Sequence, residues 1–143
     1  GVMLNNAIGQ GELLVTPIQM AVLAGRLATS GRMPDPEFVL LPPQATQRPA
    51  PLPFRDADLA WVRDALVETV DRGTGKQAGL EGISVAGKTG TAQNPHGEDH
   101  AWFMCYAPAD APEVAVAVIV ENAGHGSSEA APVAMLWPLS GST

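Results

Sequence analysis

Met20, Leu23, Ala24 and Leu27 recur at the three-to-four-residue interval of a helix that buries one face. Thr16-Pro17-Ile18-Gln19 precedes them as a capping box with proline at the first helical position, and Gly31 can stop the run. The pattern predicts a helix over 17–30. A second stripe, Leu59, Val62, Leu66 and Val70, follows Asp56, the expected N-cap, with Arg72 in the last turn and Gly73 just beyond. Gly73-Thr74-Gly75 then turns the chain toward a strand over 83–92, where the β-branched Ile83 and Val85 run into Lys88. Residues 101–107 and 114–120 read as two further strands, joined through Pro108-Ala109-Asp110-Ala111-Pro112. In the last strand Val114, Val116, Val118 and Val120 share one face, and Ala115, Ala117 and Ile119 the other. Both faces are apolar, so both are expected to be covered, and the alanines let a helix approach closely. After Gly124-His125-Gly126 a final helix over 128–137 is predicted, with Pro132 near its first turn. Seven of the chain's 13 prolines fall between 34 and 53, which predicts an extended surface connection with a short strand at 38–41. The predicted order is two helices, three strands and a helix, without repeats.

A chain of 143 residues suits one domain with a sizeable core. Hydrophobic content of 45% against 16% charged residues places it among globular chains, not disordered ones. The net charge of −7 argues against a general nucleic-acid surface and against charge-driven binding to acidic membranes. An anionic ligand must therefore find a local cation. Apolar runs such as Val114–Val120 are far short of the roughly 20 residues that span a bilayer, and no signal peptide opens the chain. The single cysteine, Cys105, rules out an internal disulfide and reads as a buried thiol without an attendant base.

Residues 82–91 fit two unrelated chemistries. From Gly82 they match G-x-x-x-x-G-K-[ST], the phosphate-cradling loop of nucleotide hydrolases. From Lys88 they are Lys-Thr-Gly-Thr, a form of the K-T-G element of penicillin-binding proteins and serine β-lactamases. A phosphate loop needs a buried strand before Gly82 and a helix from Lys88, so that amides at the helix N-terminus face the phosphates. Residues 76–81 do not read as such a strand, and Gly90 and Pro95 oppose a helix. Context favours the second chemistry. A helix beginning at Lys88 would restore the first.

Other blocks agree with that choice. Ile8-Gly9-Gln10-Gly11, Thr16-Pro17-Ile18-Gln19-Met20-Ala21, Lys88-Thr89-Gly90-Thr91-Ala92-Gln93, His100-Ala101-Trp102-Phe103, Ala107-Pro108-Ala109-Asp110 and the run 116–122 occur in order. Together they resemble the last part of a penicillin-binding transpeptidase domain, most closely the monofunctional class B enzymes of the elongation type, the penicillin-binding protein 2 group. Only 34–53 lacks the likeness. The family's nucleophile lies in S-x-x-K, but the two lysines here, Lys76 and Lys88, follow Gly73 and Val85 at that spacing, and S-x-N is missing too. In the family both elements lie further toward the N-terminus. The resemblance thus implies that residues 1–143 are the C-terminal portion of one transpeptidase domain.

The implied fold is α+β, an antiparallel sheet with helices on both faces. The implied activity is serine acyl transfer on D-Ala-D-Ala stem peptides of peptidoglycan, in a parent protein, with this chain alone inactive. Acyl transfer needs a nucleophile, a base, oxyanion donors and a grip on the substrate. In a strand, Thr89 and Thr91 share one face and can converge on a carboxylate, while Lys88 can bring positive charge into the cleft by its long stem. Gly90 removes a side chain where substrate lies against the backbone. The resemblance makes Lys88 and Thr91 catalytic, with the Thr91 amide as one oxyanion donor, and Lys88, Thr89, Gly90 and Thr91 substrate-binding; Gln93 and His100 border the site. It implies as partners the stem peptides, β-lactam antibiotics, the N-terminal part of the same domain and a membrane glycosyltransferase of the elongation machinery. It places the protein on the outer face of the bacterial cytoplasmic membrane, anchored by a segment outside this chain. A noncatalytic binding module of the same fold is the other alternative.

No cofactor or metal is expected. His96 and His100, four apart with acids between, would converge on a metal only from a helix, and Pro95 and Gly97 make this segment a loop. His100 is expected to hydrogen-bond at a strand end, and His125, between glycines, to be exposed. Trp102, Phe103 and Tyr106 read as core rather than as a stacking stripe for a ligand. Asn5, Asn6 and Gln10 are polar among apolar neighbours, and no role follows for them from sequence.

Overall fold

A computed structural model describes residues 2–7, 9–11, 13–33, 35–37 and 49–136. Its elements are helices α1 (Val2–Ala7), α2 (Pro17–Ala28) and α3 (Asp56–Asp71), a 3-10 turn at Lys76–Ala78, strands β1 (Ala86–Ala92), β2 (His100–Ala107) and β3 (Val114–Val120), and helix α4 (Ala130–Ala134). The expected strand at 38–41 and the end of the expected last helix, 137, lie outside the described residues. Helix α1 and the 3-10 turn are additions to the predicted order.

The local chemistry of the first long helix is as read. The Thr16 hydroxyl accepts from the Gln19 N–H, and the Gln19 side chain accepts from the Thr16 N–H at 2.8 Å. The helix closes two residues early, where Ser30 and Gly31 take positive φ and the Gly31 N–H returns to the Arg26 carbonyl at 2.7 Å. Helix α3 differs from expectation at its start. Arg55, not Asp56, holds the N-cap position, with no side-chain cap. Asp56 and Asp58 fall in the first turn, where carboxylates suit the helix dipole, and the Arg55 guanidinium grips Asp58 through bonds of 2.8 and 2.6 Å. Leu59, Leu66 and Val70 are buried as predicted, but Val62 is 41% exposed.

The strands form an antiparallel sheet in the order β1-β2-β3, with Gly90 opposite Trp102 and Phe103 opposite Val118. Alternation splits the side chains between two faces. On one, Ala101, Phe103 and Cys105 pack with Val116, Val118 and Val120 against Val70, Ala78, Val85 and the alanines of α4. Burial there pushes the Cys105 thiol up to about 12, so it stays protonated and inert. On the other, Ala86, Tyr106 and Ala115 pack with Leu66, Leu27 and Ala28. Helix α2 lies close on this face at Ala115, where a methyl group added to Gly25 would stand 3.4 Å from the alanine's own. The fold is therefore α+β with helices on both faces, and the alanines of β3 allow the expected close approach. The strand carrying Lys88 begins at Ala86 rather than 83, since Ile83 instead bridges back to Leu80 around Gly82.

The loop after β3 crosses behind β1. Gly126 is buried there, and a Cβ at this position would stand 2.3 Å from the carbonyl oxygens of both Gly90 and Trp102. Neither backbone can move without breaking the Gly90–Trp102 pair. Gly126→Ala should lower stability by about 1–3 kcal/mol, read as a shifted urea midpoint. An unchanged midpoint would mean that the loop yields instead.

The surface has a second consequence. Met3, Leu4, Leu13, Leu14, Val15, Ile18 and Leu23 are all at least 40% exposed along α1, the following segment and α2. Strand β3 pairs only with β2 among the described residues, which leaves its outer edge open. Contiguous apolar surface beside an open strand favours association. The isolated 143-residue chain should sediment as self-associated species. A monodisperse monomer at tens of micromolar would show that these surfaces tolerate water.

Candidate active site

Strand β1 is an edge strand among the described residues, and its free edge borders an open groove of about 1040 Å³. The groove is lined on its other side by Gly9, Gln10, Gly11, Leu13, Leu14, Val15 and Met20. Lys88, Thr89, Gly90, Thr91 and Gln93 all line it, as does His100, so the structure brings together every residue expected at the site. The register divides them. Lys88 and Gly90 share a face with Met104 and Trp102, whereas Thr89 and Thr91 share the opposite face with Phe103 and Ala101. The groove reaches both sets because it follows the edge between the two faces.

Backbone direction matters more than side chains here. Within a strand, the N–H and C=O of one residue point to the same side. The Thr91 carbonyl accepts from the Gln10 side chain at the free edge, so the Thr91 N–H is directed to that edge too. The same holds for Thr89, whose carbonyl accepts from the Lys88 ammonium at 2.6 Å. Lys88 folds along the edge, exposed, and is the only lysine or arginine among the described residues lining the groove. Its charge lies beside outward-facing amides, which is a setting for an anion.

Several neighbours fix this strand. The Thr74 and Thr89 hydroxyl oxygens lie 2.7 Å apart. A hydroxyl has one proton, so Thr74 as donor leaves the Thr89 proton for a ligand. A Cβ at Gly90 would stand 3.1 Å from that of Trp102, so cross-strand packing favours a small residue there. Gly87 is similarly constrained, with the Phe103 ring 2.6 Å from where its Cβ would be. His100 acts at a strand end as expected, its Nδ1 accepting from the Asn122 N–H at 3.0 Å. Asn94 bonds Asn122 at 2.7 Å and receives the His96 N–H at 3.0 Å, tying the 93–99 loop to the loop beyond β3. His125 is exposed.

The sequence reading missed three participants. Gln10 and Thr74 reach β1 across chain separations of 81 and 15 residues, which no local pattern reports. For Gln10 the resemblance placed its Ile8-Gly9-Gln10-Gly11 block near the site but gave it no role. Trp102 is the third. Phe103 and Tyr106 are core, but Trp102 is half-buried and lines the groove, because alternation sets it opposite Gly90 on the other face.

Lys88 lies in the middle of an antiparallel strand, and no helix begins there. The nucleotide-hydrolase alternative over 82–89 is thereby removed. No described helix is long and apolar enough to cross a membrane.

Comparison with known proteins agrees with this geometry. A peptidoglycan D,D-transpeptidase, MrdA, of Acinetobacter baumannii is 35% identical over 159 aligned positions, which take in 93% of this chain and 24% of that protein. The crystal structure of Pseudomonas aeruginosa PBP2 in complex with WCK 5153 superposes with a TM-score of 0.83 at 36% identity, over 96% of this chain and 32% of that one. Penicillin-binding protein A from M. tuberculosis, solved as an imipenem acyl-enzyme complex, gives 0.76 at 31% identity, over 92% and 32%. The chain thus spans about a quarter to a third of the length of these relatives. Residues 2–135 match the model of the penicillin binding protein transpeptidase domain, and with an open-edged Lys-Thr-Gly-Thr strand at its groove the chain belongs to that family.

Proposed function

We propose that this chain is the C-terminal portion of the transpeptidase domain of a class B, elongation-type peptidoglycan D,D-transpeptidase. The observation that carries the reading is the free edge of β1, which offers outward amides, threonine hydroxyls and the Lys88 ammonium to one groove. A stem peptide ends in D-alanyl-D-alanine and so brings a carboxylate to be held and a carbonyl to be polarised. The Thr89 and Thr91 hydroxyls and Lys88 suit the first task. The Thr91 N–H suits the second, as one of two oxyanion donors.

The serine belongs to a part of the protein outside this chain. Its oxygen attacks the carbonyl carbon of the penultimate D-alanine, and the resulting oxyanion is stabilised by amides already aimed at it. Collapse breaks the peptide bond, and terminal D-alanine leaves as the amine, taking a proton. An amine of a neighbouring stem then attacks the ester, forms the cross-link and frees the serine. A β-lactam acylates the same serine, but its ring-opened product stays tethered. The setting is the outer face of the cytoplasmic membrane, with the anchor in another segment and a membrane glycosyltransferase as companion. No cofactor is required by this chemistry.

Three outcomes test the reading. The isolated chain should give no adduct with penicillin by intact-mass spectrometry, because no serine in it has the S-x-x-K lysine. The full-length protein should give one adduct, on a serine upstream of this chain; none at all would favour a noncatalytic module. In that protein, Lys88→Ala and Thr91→Val should each slow acylation about ten- to a hundredfold, the cost of one charge-assisted or buried hydrogen bond. Rates within about twofold of wild type in both variants would remove these residues from the site.

A further inference from the structure

Gln10 stands between two glycines in the left-handed region, Gly9 with φ 76° and Gly11 with φ 99°. The N–H groups of Gly9 and Gln10 donate to the carbonyls of Asn6 and Asn5, at 3.1 and 2.9 Å, which pins the turn to α1. The half-buried Gln10 side chain is thereby carried to the open edge of β1. Its Nε2 donates to the Thr91 carbonyl at 2.9 Å, and its Oε1 accepts from the Gln93 N–H at 3.4 Å. A carbonyl at one residue and an N–H two further on are the pair that a single residue of a parallel strand would engage. A carboxamide carries a donor and an acceptor side by side, as a peptide group does, and can take that place.

The bridge closes the edge just past Thr91 and leaves the Thr91 N–H uncovered. Edge backbone without a partner twists and frays, so an oxyanion donor there needs a fixed neighbour. We propose that Gln10 is a positioning residue for acyl transfer: its carboxamide substitutes for an absent strand and holds the Thr91 amide in the orientation the oxyanion requires. This rests on the transpeptidase reading above. Because the oxyanion exists only after attack, the effect belongs to the acylation step and not to ligand binding.

The test uses the full-length protein and stopped-flow acylation by penicillin G, which separates the binding constant from the acylation rate constant. Gln10→Met keeps the length and removes both bonds. It should lower the acylation constant about tenfold and leave the binding constant within about threefold. Gln10→Glu supplies a donor only when protonated. At about pH 8 its carboxylate still accepts from the Gln93 N–H but sets an oxygen against the Thr91 carbonyl, so acylation should be slowed as in Gln10→Met while the Gln93 amide stays protected. Hydrogen exchange at the Gln93 amide, which needs no catalysis, should be faster in Gln10→Met, with the Gly9 and Gln10-position amides unchanged. An unchanged acylation constant in Gln10→Met, a loss confined to binding, or a Gln10→Glu variant that acylates at the wild-type rate near about pH 8 overturns this inference alone. A wild-type protein that penicillin does not acylate overturns the transpeptidase reading and this inference with it.

Discussion

The outer edge of β1 must stay unpaired and yet stay straight, and most of the surrounding structure answers to that requirement. A strand edge is ordinarily blunted by charge, by proline or by a covering segment, since its free N–H and C=O groups will pair with any extended chain. Here those groups border the groove and stand uncovered along most of the strand among the described residues. The stiffness comes from elsewhere. Strand β2 holds the inner edge residue by residue, the loop at Gly126 supports the Gly90–Trp102 pair from behind, and Thr74 braces Thr89. Gln10 touches the free edge at only one place, beyond the amide that has to remain open.

Small residues make this possible. Gly87 leaves room for the Phe103 ring, Gly90 for Trp102, Gly126 for two carbonyl oxygens, and Gly25 meets Ala115 where α2 crosses the sheet. Each is a close approach of backbone to backbone or to a bulky neighbour, and each side chain avoided lets a layer come nearer. The larger apolar residues then fill two separate clusters, one around Phe103 and one around Tyr106, on opposite faces of the sheet. The edge strand is clamped between them at Val85 and Ala86, just before Lys88.

The sequence made the hairpin and the two long helices legible because their signals are local: apolar runs at 101–107 and 114–120 joined through a proline turn, a capping box at Thr16 and a stripe ending at Val70. The Lys-Thr-Gly-Thr strand was legible by elimination, from residues that oppose a helix. What escaped was set by tertiary contact. Helix α1 has six residues including two asparagines, too short for its own periodicity to be read. Asp56 has the chemistry of a cap, but Arg55 pairing with Asp58 shifts the start by one residue. Val62 fits its stripe, yet it stands 41% exposed while Leu66 and Val70 join the two clusters on the sheet. Thr74 and Gln10 acquire meaning only when the fold brings them to β1.

Charge completes the argument for the groove. The chain carries a net charge of −7, which would repel an anionic peptide at long range. Such repulsion is screened beyond about 10 Å at moderate ionic strength, whereas a cation in direct contact is screened much less. Lys88 lies along the strand edge with its ammonium on the Thr89 carbonyl, so it need not leave its place to meet a carboxylate arriving beside it. A contact at one short distance also outweighs the diffuse field of the rest of the surface, since Coulomb energy falls with distance. An acidic protein of this kind does not gather anions generally. The one cation lining the groove among the described residues marks a single point for an anion, beside the outward-facing amides of β1.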